Sequence, residues 1–325
     1  MKKKFKTYYG LPSKVIFCKK TLISNQRPQS EIEFKHNIKT KKKTLNIDKN
    51  GISDTWKYSR IKKKINYSLR EKSLLKLLDK HRGKYGKYDC IVPGSGGKDS
   101  CYASYLLKYK YGMNPLTVTW PPILYTKYGY ENFKNWLKVG GFDNISAKRN
   151  EDLAKYLTKQ SILNLFHPFQ SFMLGQKIFP IRIAIKLKIK LIFYGENEAE
   201  HGNSLADNSS SLRNKSFHTR KNMDKIFLGG LKINQILANS KFQLSDLNDY
   251  MPPTEQDIAN FPMEVHYLGY FEKWIPQETF YHSVENCGFK PRPFRTRGTY
   301  SKYNSIDDKI DDLHYYTTFI KFGIG

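Results

Sequence analysis

A six-residue loop, Ser95–Ser100, constrains the fold of this chain more than any other feature of its sequence. It reads Ser-Gly-Gly-Lys-Asp-Ser, follows the short apolar run Tyr88–Pro93 and precedes the helix-like segment Ser100–Tyr111. A strand that enters a loop with two glycines and leaves it as a helix directs several backbone N–H groups and a helix N-terminus at one point. The sequence therefore predicts a strand, loop and helix unit with an anion site at its centre.

Each residue type in this loop suits a phosphate ligand. The two glycines allow backbone conformations closed to other residues and a close approach to the ligand. Lys98 supplies a compact positive charge, and the two serines offer hydroxyl donors. Asp99 can cap the helix or help to hold Mg²⁺ beside a pyrophosphate. A glycine-rich turn that binds nothing is the alternative interpretation.

The spacing of the loop separates it from two common phosphate-binding motifs. A Walker loop needs Gly-x-x-x-x-Gly-Lys-[Ser/Thr], but Lys98 is followed by Asp99. A Rossmann Gly-x-Gly-x-x-Gly is also missing here. The loop instead resembles the Ser-Gly-Gly-x-Asp-Ser loop of the PP-loop ATP pyrophosphatases, which cleave ATP between its α and β phosphates to adenylylate a substrate oxygen. The resemblance implies ATP and Mg²⁺ as cofactors.

Strand-like and helix-like segments alternate from Tyr88 onward, which predicts an α/β fold with a parallel sheet and helices on both faces. The predicted strands are 89–92, 116–120, 144–146 and 191–194, and the predicted helices are 100–111, 130–139, 151–165 and 169–188. Ligands of such sheets bind at the carboxyl ends of the strands. We therefore expect the loop to lie close to the segment that follows Tyr194.

That second segment is an acidic cluster in a very basic protein. Residues 194–202 read Tyr-Gly-Glu-Asn-Glu-Ala-Glu-His-Gly. Its carboxylates and imidazole can hold Mg²⁺, orient ammonia or bind sugar hydroxyls; a solvated loop that caps a helix is the alternative. Residues 203–220, which are polar and short of apolar side chains, are predicted to form a mobile loop or lid.

Composition divides the chain into three predicted parts. Residues 1–80 form a basic N-terminal extension with a helix over 68–81, and residues 81–245 form the ATP-binding α/β domain. Residues 246–325 form a C-terminal lobe in which aromatic side chains alternate with arginines. These side chains either bind a nucleotide-linked sugar or pack a small helical lobe.

The formal net charge of +27 over 325 residues leaves the partner open. Lysine runs bind nucleic acid or other anions, but lysine also accumulates by drift in AT-rich genomes. The runs lie mostly before the loop and lack interleaved aromatic residues, so we do not expect nucleic acid as the partner. No apolar stretch is long enough to span a membrane, and no signal peptide or paired cysteine spacing is visible, which predicts a cytoplasmic protein.

Four stretches together resemble one family. These are the loop and the segments Tyr194–Glu196, Ile23–Pro28 and Gly298–Lys309. They resemble the N-acetyl sugar amidotransferases of the PseA and WbpG type, which act in bacterial surface-glycan (flagellin or lipopolysaccharide) biosynthesis. The resemblance implies that an acetamido group on a nucleotide-activated sugar, such as a pseudaminic or legionaminic acid precursor, becomes acetamidino through an adenylylated intermediate. It also implies ammonia delivery by a HisH-like glutaminase, with a HisF-like subunit in some systems.

The resemblance and the loop chemistry together assign roles to individual residues. Lys98 and the loop N–H groups would stabilise charge on the departing pyrophosphate, and the acidic cluster would accept a proton from ammonia or bind metal. The predicted catalytic residues are Lys98, Asp99, Glu196 and Glu198. The predicted ATP-binding residues are Ser95, Gly96, Gly97, Lys98, Asp99, Ser100, Gly195 and, near the adenine, Val118 and Thr119. The predicted substrate-binding residues are His201, Arg295, Tyr300, Lys302 and Tyr303.

The chain departs from the family pattern in two places. Relatives carry two cysteine pairs typical of a structural zinc site, whereas here Cys18 remains and Thr21, Ser53 and Trp56 occupy the other positions. One thiolate cannot hold tetrahedral zinc, so no zinc is expected at this degenerate zinc-ribbon-like region. Relatives also continue beyond the position of Gly325, so the C-terminal lobe is expected to be either naturally shortened or incomplete, which leaves catalytic activity open.

Two other functions stay open. A PP-loop tRNA-modifying enzyme, of the thiolase or lysidine synthetase type, would account for the positive charge, although Cys101 and Cys287 do not form a convincing cluster or catalytic set. A catalytically silent homologue that serves as a scaffold for a glutaminase would account for the lost cysteines.

Overall fold

The computed structural model describes residues 7–196 and 209–323, and its centre is a five-stranded parallel sheet. The sheet strands are β1 (Cys90–Pro93), β2 (Pro115–Thr119), β3 (Asn144–Ser146), β4 (Leu191–Tyr194) and β7 (Glu264–Tyr267), and a separate antiparallel hairpin is formed by β5 (Phe227–Leu228) and β6 (Leu231–Lys232). The order across the sheet is β3-β2-β1-β4-β7, with every neighbouring pair parallel. The predicted α/β class with a parallel sheet is confirmed.

Eleven α-helices are described around the sheet. They are α1 (Asp54–Lys62), α2 (Tyr67–His81), α3 (Lys98–Tyr105), α4 (Lys127–Lys138), α5 (Glu151–Leu165), α6 (Gln170–Leu187), α7 (Ile233–Ala238), α8 (Glu255–Asn260), α9 (Leu268–Phe271), α10 (Pro276–Cys287) and α11 (Asp311–Phe322). Short 3-10 helices lie at Glu33–Lys35, Lys215–Phe217, Met223–Lys225 and Leu244–Tyr250. No helix within these described ranges combines the length and apolar character needed to cross a membrane.

The helices cover both faces of the sheet because successive strand residues point to opposite sides. On one face Ile91, Leu116 and Ile192 pack with residues of α5 and α6. On the other face Val92 and Phe193 pack with residues of α2, α3 and α9. Apolar side chains therefore cover both faces of the sheet, as expected for strands with apolar sequences.

Two predicted strands, 144–146 and 191–194, and one predicted helix, 151–165, have the bounds that the sequence indicates. The helix predicted over 100–111 begins earlier, at Lys98, and gives way after Tyr105 to a π-helical turn over Leu106–Lys110. Gly97 takes the N-cap position, so the lysine and aspartate of the loop belong to the first helical turn.

Sequence patterns missed β7. Its sequence, Glu-Val-His-Tyr, holds two polar residues in four, and it pairs with β4 over Leu191–Tyr194. This strand lies in the range predicted as the C-terminal lobe, so residues 246–325 contribute an edge strand to the central sheet.

Candidate functional site

The Ser95–Ser100 loop lies at the point in the sheet where the strand order reverses. It follows β1, whose neighbours are β2 on one side and β4 on the other. In open α/β sheets the ligand binds in the crevice at such a switch point, beyond the carboxyl ends of the strands. The fold therefore places the loop at the position where a ligand is expected.

Glycine is required in the loop for two different reasons. Gly96 has a φ of +86°, and a Cβ atom there would lie 2.6 Å from the Cα atom of Phe133 on α4. Gly97 has a φ of −69°, and a Cβ atom there would have Ser95 Oγ, at 3.9 Å, as its nearest neighbour. Gly96 makes close packing against α4 possible. Gly97 leaves the open side of the loop without a side chain.

A cavity of about 230 Å³ lies on this open side. The loop and the first turn of α3 form one side of the cavity, and Gly129 and Asn132 of α4 form another. The 303–311 segment contributes Tyr303, Asp307 and Asp311. The cavity therefore combines a helix N-terminus with carboxylates from a distant part of the chain.

Among the described residues that line this cavity, Lys98 is the one with a positively charged side chain. Its side chain is buried, with 6% of the residue exposed, and its Nζ atom lies 2.8 and 2.7 Å from the two carboxylate oxygens of Asp99. The indole Nε1 of Trp274 donates to the same carboxylate at 3.1 Å. The backbone carbonyl of Lys98 accepts a hydrogen bond of 2.9 Å from Ser283 on α10. These contacts fix the ammonium group next to the loop.

The predicted Mg²⁺ ligand Asp99 is therefore already occupied by Lys98 and Trp274. Its position in the first turn of α3 is favourable for a carboxylate because of the helix dipole. Within the described residues, its contacts are those of a group that orients Lys98. Its role toward a metal stays a prediction.

The segment after Tyr194 approaches the loop, as the topology predicts. A Cβ atom on Gly195 would lie 3.0 Å from the carbonyl oxygen of Asp99 and 3.0 Å from the Trp274 ring. Gly195 is thus the residue through which the two segments touch. Glu198 and His201 lie outside the described residues, and the proton-transfer roles predicted for them and for Glu196 stay predictions.

One of the predicted substrate residues, Tyr303, reaches the cavity. Its ring stacks on Phe280 with centroids 4.5 Å apart, its hydroxyl donates to Gln277 Oε1 at 3.0 Å, and Lys98 Nζ lies 5.8 Å from the ring centroid. Arg295 and Tyr300 line a separate surface depression, and Tyr300 is 95% exposed. The side chain of Lys302 is exposed, and its carbonyl accepts from the backbone of Arg292.

Asp307 is a site residue that sequence reasoning did not single out. Its Oδ2 atom accepts a hydrogen bond of 2.7 Å from Ser95 Oγ, and its Cα would lie 2.4 Å from a Cβ atom on Gly129. The neighbouring Asp308 is buried and accepts from the backbone N–H groups of Ile123, Leu124 and Ile310. Asp308 therefore anchors the segment, and Asp307 faces the loop.

A further carboxyl group, that of Asp311, completes the acidic side of the cavity. Burial raises its pKa to about 8, and the charges of Asp307 and Asp308 act in the same direction. Its Oδ2 atom is buried and has no hydrogen-bond partner within the part of the chain that the structure describes. At neutral pH this carboxyl group is therefore mostly protonated, and a cation beside it would lower its pKa and favour the ionised form.

The residues predicted to meet adenine lie at the end of β2. The carbonyl of Val118 accepts from the N–H of Gly94 at 3.0 Å, and the carbonyl of Thr119 accepts from Ala147 at 2.9 Å. A cavity of about 130 Å³ adjoins Val118, Gly94 and Tyr194 at the carboxyl ends of the strands. Both carbonyls are engaged within the protein, so the adenine contact stays a prediction.

All four cysteines are buried, and one of them, Cys90, lies within β1. Cys18 is buried, and its sulfur accepts from the backbone N–H groups of Lys20 and Ser53; although burial acts to raise its pKa, hydrogen bonds that include those from Ser53 and Thr21 lower it to about 6. Cys101 and Cys287 are buried beneath the loop, where burial holds the pKa of Cys101 well above its ordinary value. The family positions at Cys18, Thr21 and Ser53 thus do meet in space.

Comparisons with known proteins add little to this geometry. No family model matches the chain. The uncharacterized protein MJ1599 of Methanocaldococcus jannaschii is 35% identical over 85 residues, which cover 26% of this chain and 31% of that protein. The match thus spans about a third of the length of this relative.

Solved structures with some likeness to this chain include three enzymes. NMN synthetase from Francisella tularensis is 15% identical over 42% of this chain and 57% of its own, with a TM-score of 0.31. NH3-dependent NAD synthetase from Campylobacter jejuni is 14% identical over 42% and 59%, with a TM-score of 0.33. The U34-tRNA thiolase NcsA from Methanococcus maripaludis is 15% identical over 79% and 78%, with a TM-score of 0.34. Likenesses this distant carry no functional argument, and the fold class rests on the sheet itself.

Proposed function

We propose that this protein is an ATP pyrophosphatase of the PP-loop type that activates an amide oxygen of an N-acetylated sugar, so that ammonia can convert acetamido into acetamidino. The observation that carries the proposal is the cavity in front of the Ser95–Ser100 loop, where a buried Lys98 and the α3 N-terminus meet Asp307. Asp307 belongs to Gly298–Lys309, the stretch most specific to the sugar amidotransferase resemblance.

The loop residues act on the phosphates. The N–H groups at the start of α3 point toward the cavity, and Lys98 adds a fixed positive charge beside them. Charge that develops on the departing pyrophosphate is stabilised by such donors without reorganisation. Asp99 and Trp274 hold the ammonium group in place.

A magnesium ion fits the acidic side of the same cavity. Mg²⁺ takes carboxylate and phosphate oxygens and keeps several waters, and Asp307 would hold it beside the loop, while Asp311 would ionise as the bound ion lowers its raised pKa. The ion would neutralise phosphate charge during the transfer. The unpartnered oxygen of Asp311 supports this assignment.

The chemistry balances as two displacements. The amide oxygen attacks the α-phosphorus of ATP and expels pyrophosphate, which leaves an O-adenylylated imidate. Ammonia then attacks the imidate carbon, the carbon–oxygen bond breaks, and AMP departs with the former amide oxygen. Glu196, Glu198 and His201 are the predicted acceptors of the proton that ammonia loses, and Tyr303 is the predicted sugar-binding residue that adjoins the cavity.

The ammonia source is part of the proposal only because the resemblance to the sugar amidotransferases implies it. A HisH-like glutaminase would deliver ammonia, and a HisF-like subunit would accompany it. In their absence, ammonium salts should replace glutamine.

The test measures the reaction products and compares the wild-type protein with two lysine variants. The protein is incubated with ATP, Mg²⁺, an ammonium salt and CMP- or UDP-linked acetamido sugars, and AMP, pyrophosphate and the exchange of oxygen for NH are followed by mass spectrometry. We expect sugar-dependent AMP that Lys98→Met abolishes and that Lys138→Met, a change at an exposed lysine of α4, leaves intact. If none of the sugars supports AMP formation, the sugar assignment is contradicted. The assignment of the loop to ATP is unaffected by that result.

The net charge of +27 favours a second candidate, a PP-loop tRNA-modifying enzyme. The same cavity would then adenylylate a base oxygen. Salt-sensitive binding of tRNA together with tRNA-dependent AMP formation would establish this function. A thiolase that uses Cys101 or Cys287 as nucleophile would need thiolates, whereas burial keeps Cys101 protonated.

A further inference from the structure

A second cluster of titratable side chains lies in a part of the chain that forms none of the phosphate cavity. It consists of Glu33, His36 and His167, whose donor atoms all lie within 4.8 Å of one another. His36 Nδ1 is 3.6 Å and His167 Nε2 is 3.8 Å from the same carboxylate oxygen, Oε2 of Glu33. Two imidazoles thus face one carboxylate oxygen.

Local structure explains how the three residues meet. Glu33 opens the 3-10 helix Glu33–Lys35, and His36 follows directly. With three residues in each turn of such a helix, side chains at i and i+3 lie above one another on the same face. His167 comes from the junction of α5 and α6, directly after Phe166, which adopts a left-handed conformation with a φ of 48°.

The cluster is buried, and two of its polar atoms have no hydrogen-bond partner within the described residues. Glu33, His36 and His167 expose 6%, 5% and 8% of their surface. Within residues 7–196 and 209–323, neither Glu33 Oε2 nor His36 Nδ1 has a hydrogen-bond partner. A buried polar group without a partner costs roughly 1–3 kcal/mol, and more when it is charged. Two such atoms that face a third donor indicate a ligand between them.

We propose that Glu33, His36 and His167 bind a zinc ion. Imidazole nitrogen and carboxylate oxygen are common zinc ligands at about 2.0–2.2 Å, and two histidines with one glutamate form a known three-ligand set. Tetrahedral geometry at these bond lengths separates the donors by roughly 3.3–3.5 Å. The separations of 3.6 and 3.8 Å from the carboxylate oxygen lie close to this range, and the donor atoms of the two imidazoles lie within 4.8 Å of each other.

A neighbouring histidine, His314, lies beside the cluster, although it is not among the residues whose donor atoms lie within 4.8 Å of one another. The ring of His314 on α11 lies 5.5 Å from the ring of His167, and His314 Nδ1 also has no hydrogen-bond partner within the described ranges. The backbone of Glu33 is held independently, because the side-chain amide of Gln170 donates to its carbonyl at 2.8 Å. The zinc ion would thereby join the N-terminal extension and the α5–α6 junction.

A metal-free cluster is the competing explanation. Although burial acts to raise the pKa of Glu33, the facing histidines and the charges of Lys42 and Lys177 lower it, so these groups can balance a buried carboxylate. The two explanations differ in one measurable quantity, which is the zinc bound by each chain. This site is also distinct from the region around Cys18, where no zinc is expected because Thr21, Ser53 and Trp56 replace the cysteines that the resemblance implies.

The test measures zinc in the full-length protein by inductively coupled plasma mass spectrometry after dialysis against Zn²⁺ and then buffer. We expect a single zinc ion for each chain, and its loss in the conservative variants Glu33→Gln and His36→Asn. The matched control is His81→Gln, which alters a buried histidine that contacts Tyr85 and Glu264 instead. Circular dichroism checks that each variant is folded.

Cobalt substitution provides a readout that does not depend on the variants. Co²⁺ bound by two imidazoles and a carboxylate in a four-coordinate site gives intense visible d–d absorption, which His167→Gln should reduce. A chelator should lower the melting temperature of the wild-type protein and leave that of His36→Asn unchanged. Folded wild-type protein that retains no zinc, or zinc retained in full by Glu33→Gln, would overturn the proposal. Neither result would bear on ATP binding at the loop.

Discussion

Ser95 Oγ donates a 2.7 Å hydrogen bond to Oδ2 of Asp307, a residue 212 positions further along the chain. This contact joins the phosphate-type loop to the 303–311 segment and sets a carboxylate opposite a helix N-terminus. Anion-binding and cation-binding groups therefore share one cavity, an arrangement suited to a metal–nucleotide ligand.

The two loop glycines should respond differently to alanine. Gly96→Ala forces a Cβ atom into the α4 backbone at a φ of +86° and should destabilise the protein by more than about 1 kcal/mol. Gly97→Ala faces open space and should change stability by less than about 1 kcal/mol, yet its methyl group enters the phosphate side of the loop. Denaturant unfolding and calorimetric titration with ATP measure both. Undiminished ATP binding by folded Gly97→Ala would contradict the assignment of the loop.

Substitution of two adjacent aspartates should have different effects, one mainly on the rate of AMP formation and the other mainly on the stability of the protein. Asp307→Asn removes the charge that faces the loop and should lower AMP formation by about 10²-fold with little loss of stability. Asp308→Asn disturbs a carboxylate that accepts from three backbone N–H groups and should cost roughly 1–3 kcal/mol. Steady-state assays over a range of Mg²⁺ concentrations, with unfolding curves, distinguish the two. Equal effects of both variants on activity at matched folded fraction would count against Asp307 as the functional carboxylate.

Asp311 should give the protein a stability that depends on pH. Burial raises its pKa from an ordinary value of 3.8 to about 8, so between these values the folded chain binds more protons than the unfolded chain. Its contribution to stability is therefore greatest at low pH and declines as the pH rises toward 8. In Mg²⁺-free buffer, melting temperatures measured from pH 5 to pH 9 should fall less steeply for Asp311→Asn than for the wild type. Parallel curves would show that Asp311 titrates normally.

Trp274 should act on activity through Asp99. Trp274→Phe removes the indole donor that reaches Asp99 Oδ1 and should lower AMP formation several-fold by loosening the Lys98–Asp99 pair. Trp136→Phe is the matched control, since the indole of Trp136 is equally buried and donates to Ser104 instead. Both variants should lose comparable stability, but only the first should lose activity at saturating ATP. Equal loss of activity would assign Trp274 a purely structural role.

The sequence was most informative where structure is local. The loop, its flanking strand and helix, and the strand over 191–194 depend on glycine positions and short apolar runs that are visible in the sequence. The β7 strand could not be found in this way, because half of its residues are polar and its strand character comes from pairing with β4.

Long-range convergence accounts for the site residues that were missed. Nothing in the local sequence marks Asp307 and Asp311 as site residues, and their place beside the loop depends on the anchoring of Asp308 to the chain after β2. Glu33 and His36 have a spacing that a 3-10 turn brings onto one face, but the arrival of His167 depends on the α5–α6 junction. Sequence spacing does not show that either of these two groups of residues comes together in the fold.

The 303–311 segment also has a consequence for biogenesis. The loop and most of the sheet leave the ribosome long before Asp307 does, so a nascent chain exposes a phosphate-type loop whose acidic side is still missing. The cavity in front of the loop is completed only after residue 311 has been synthesised, and translation intermediates that lack this segment would expose the loop without its facing carboxylate.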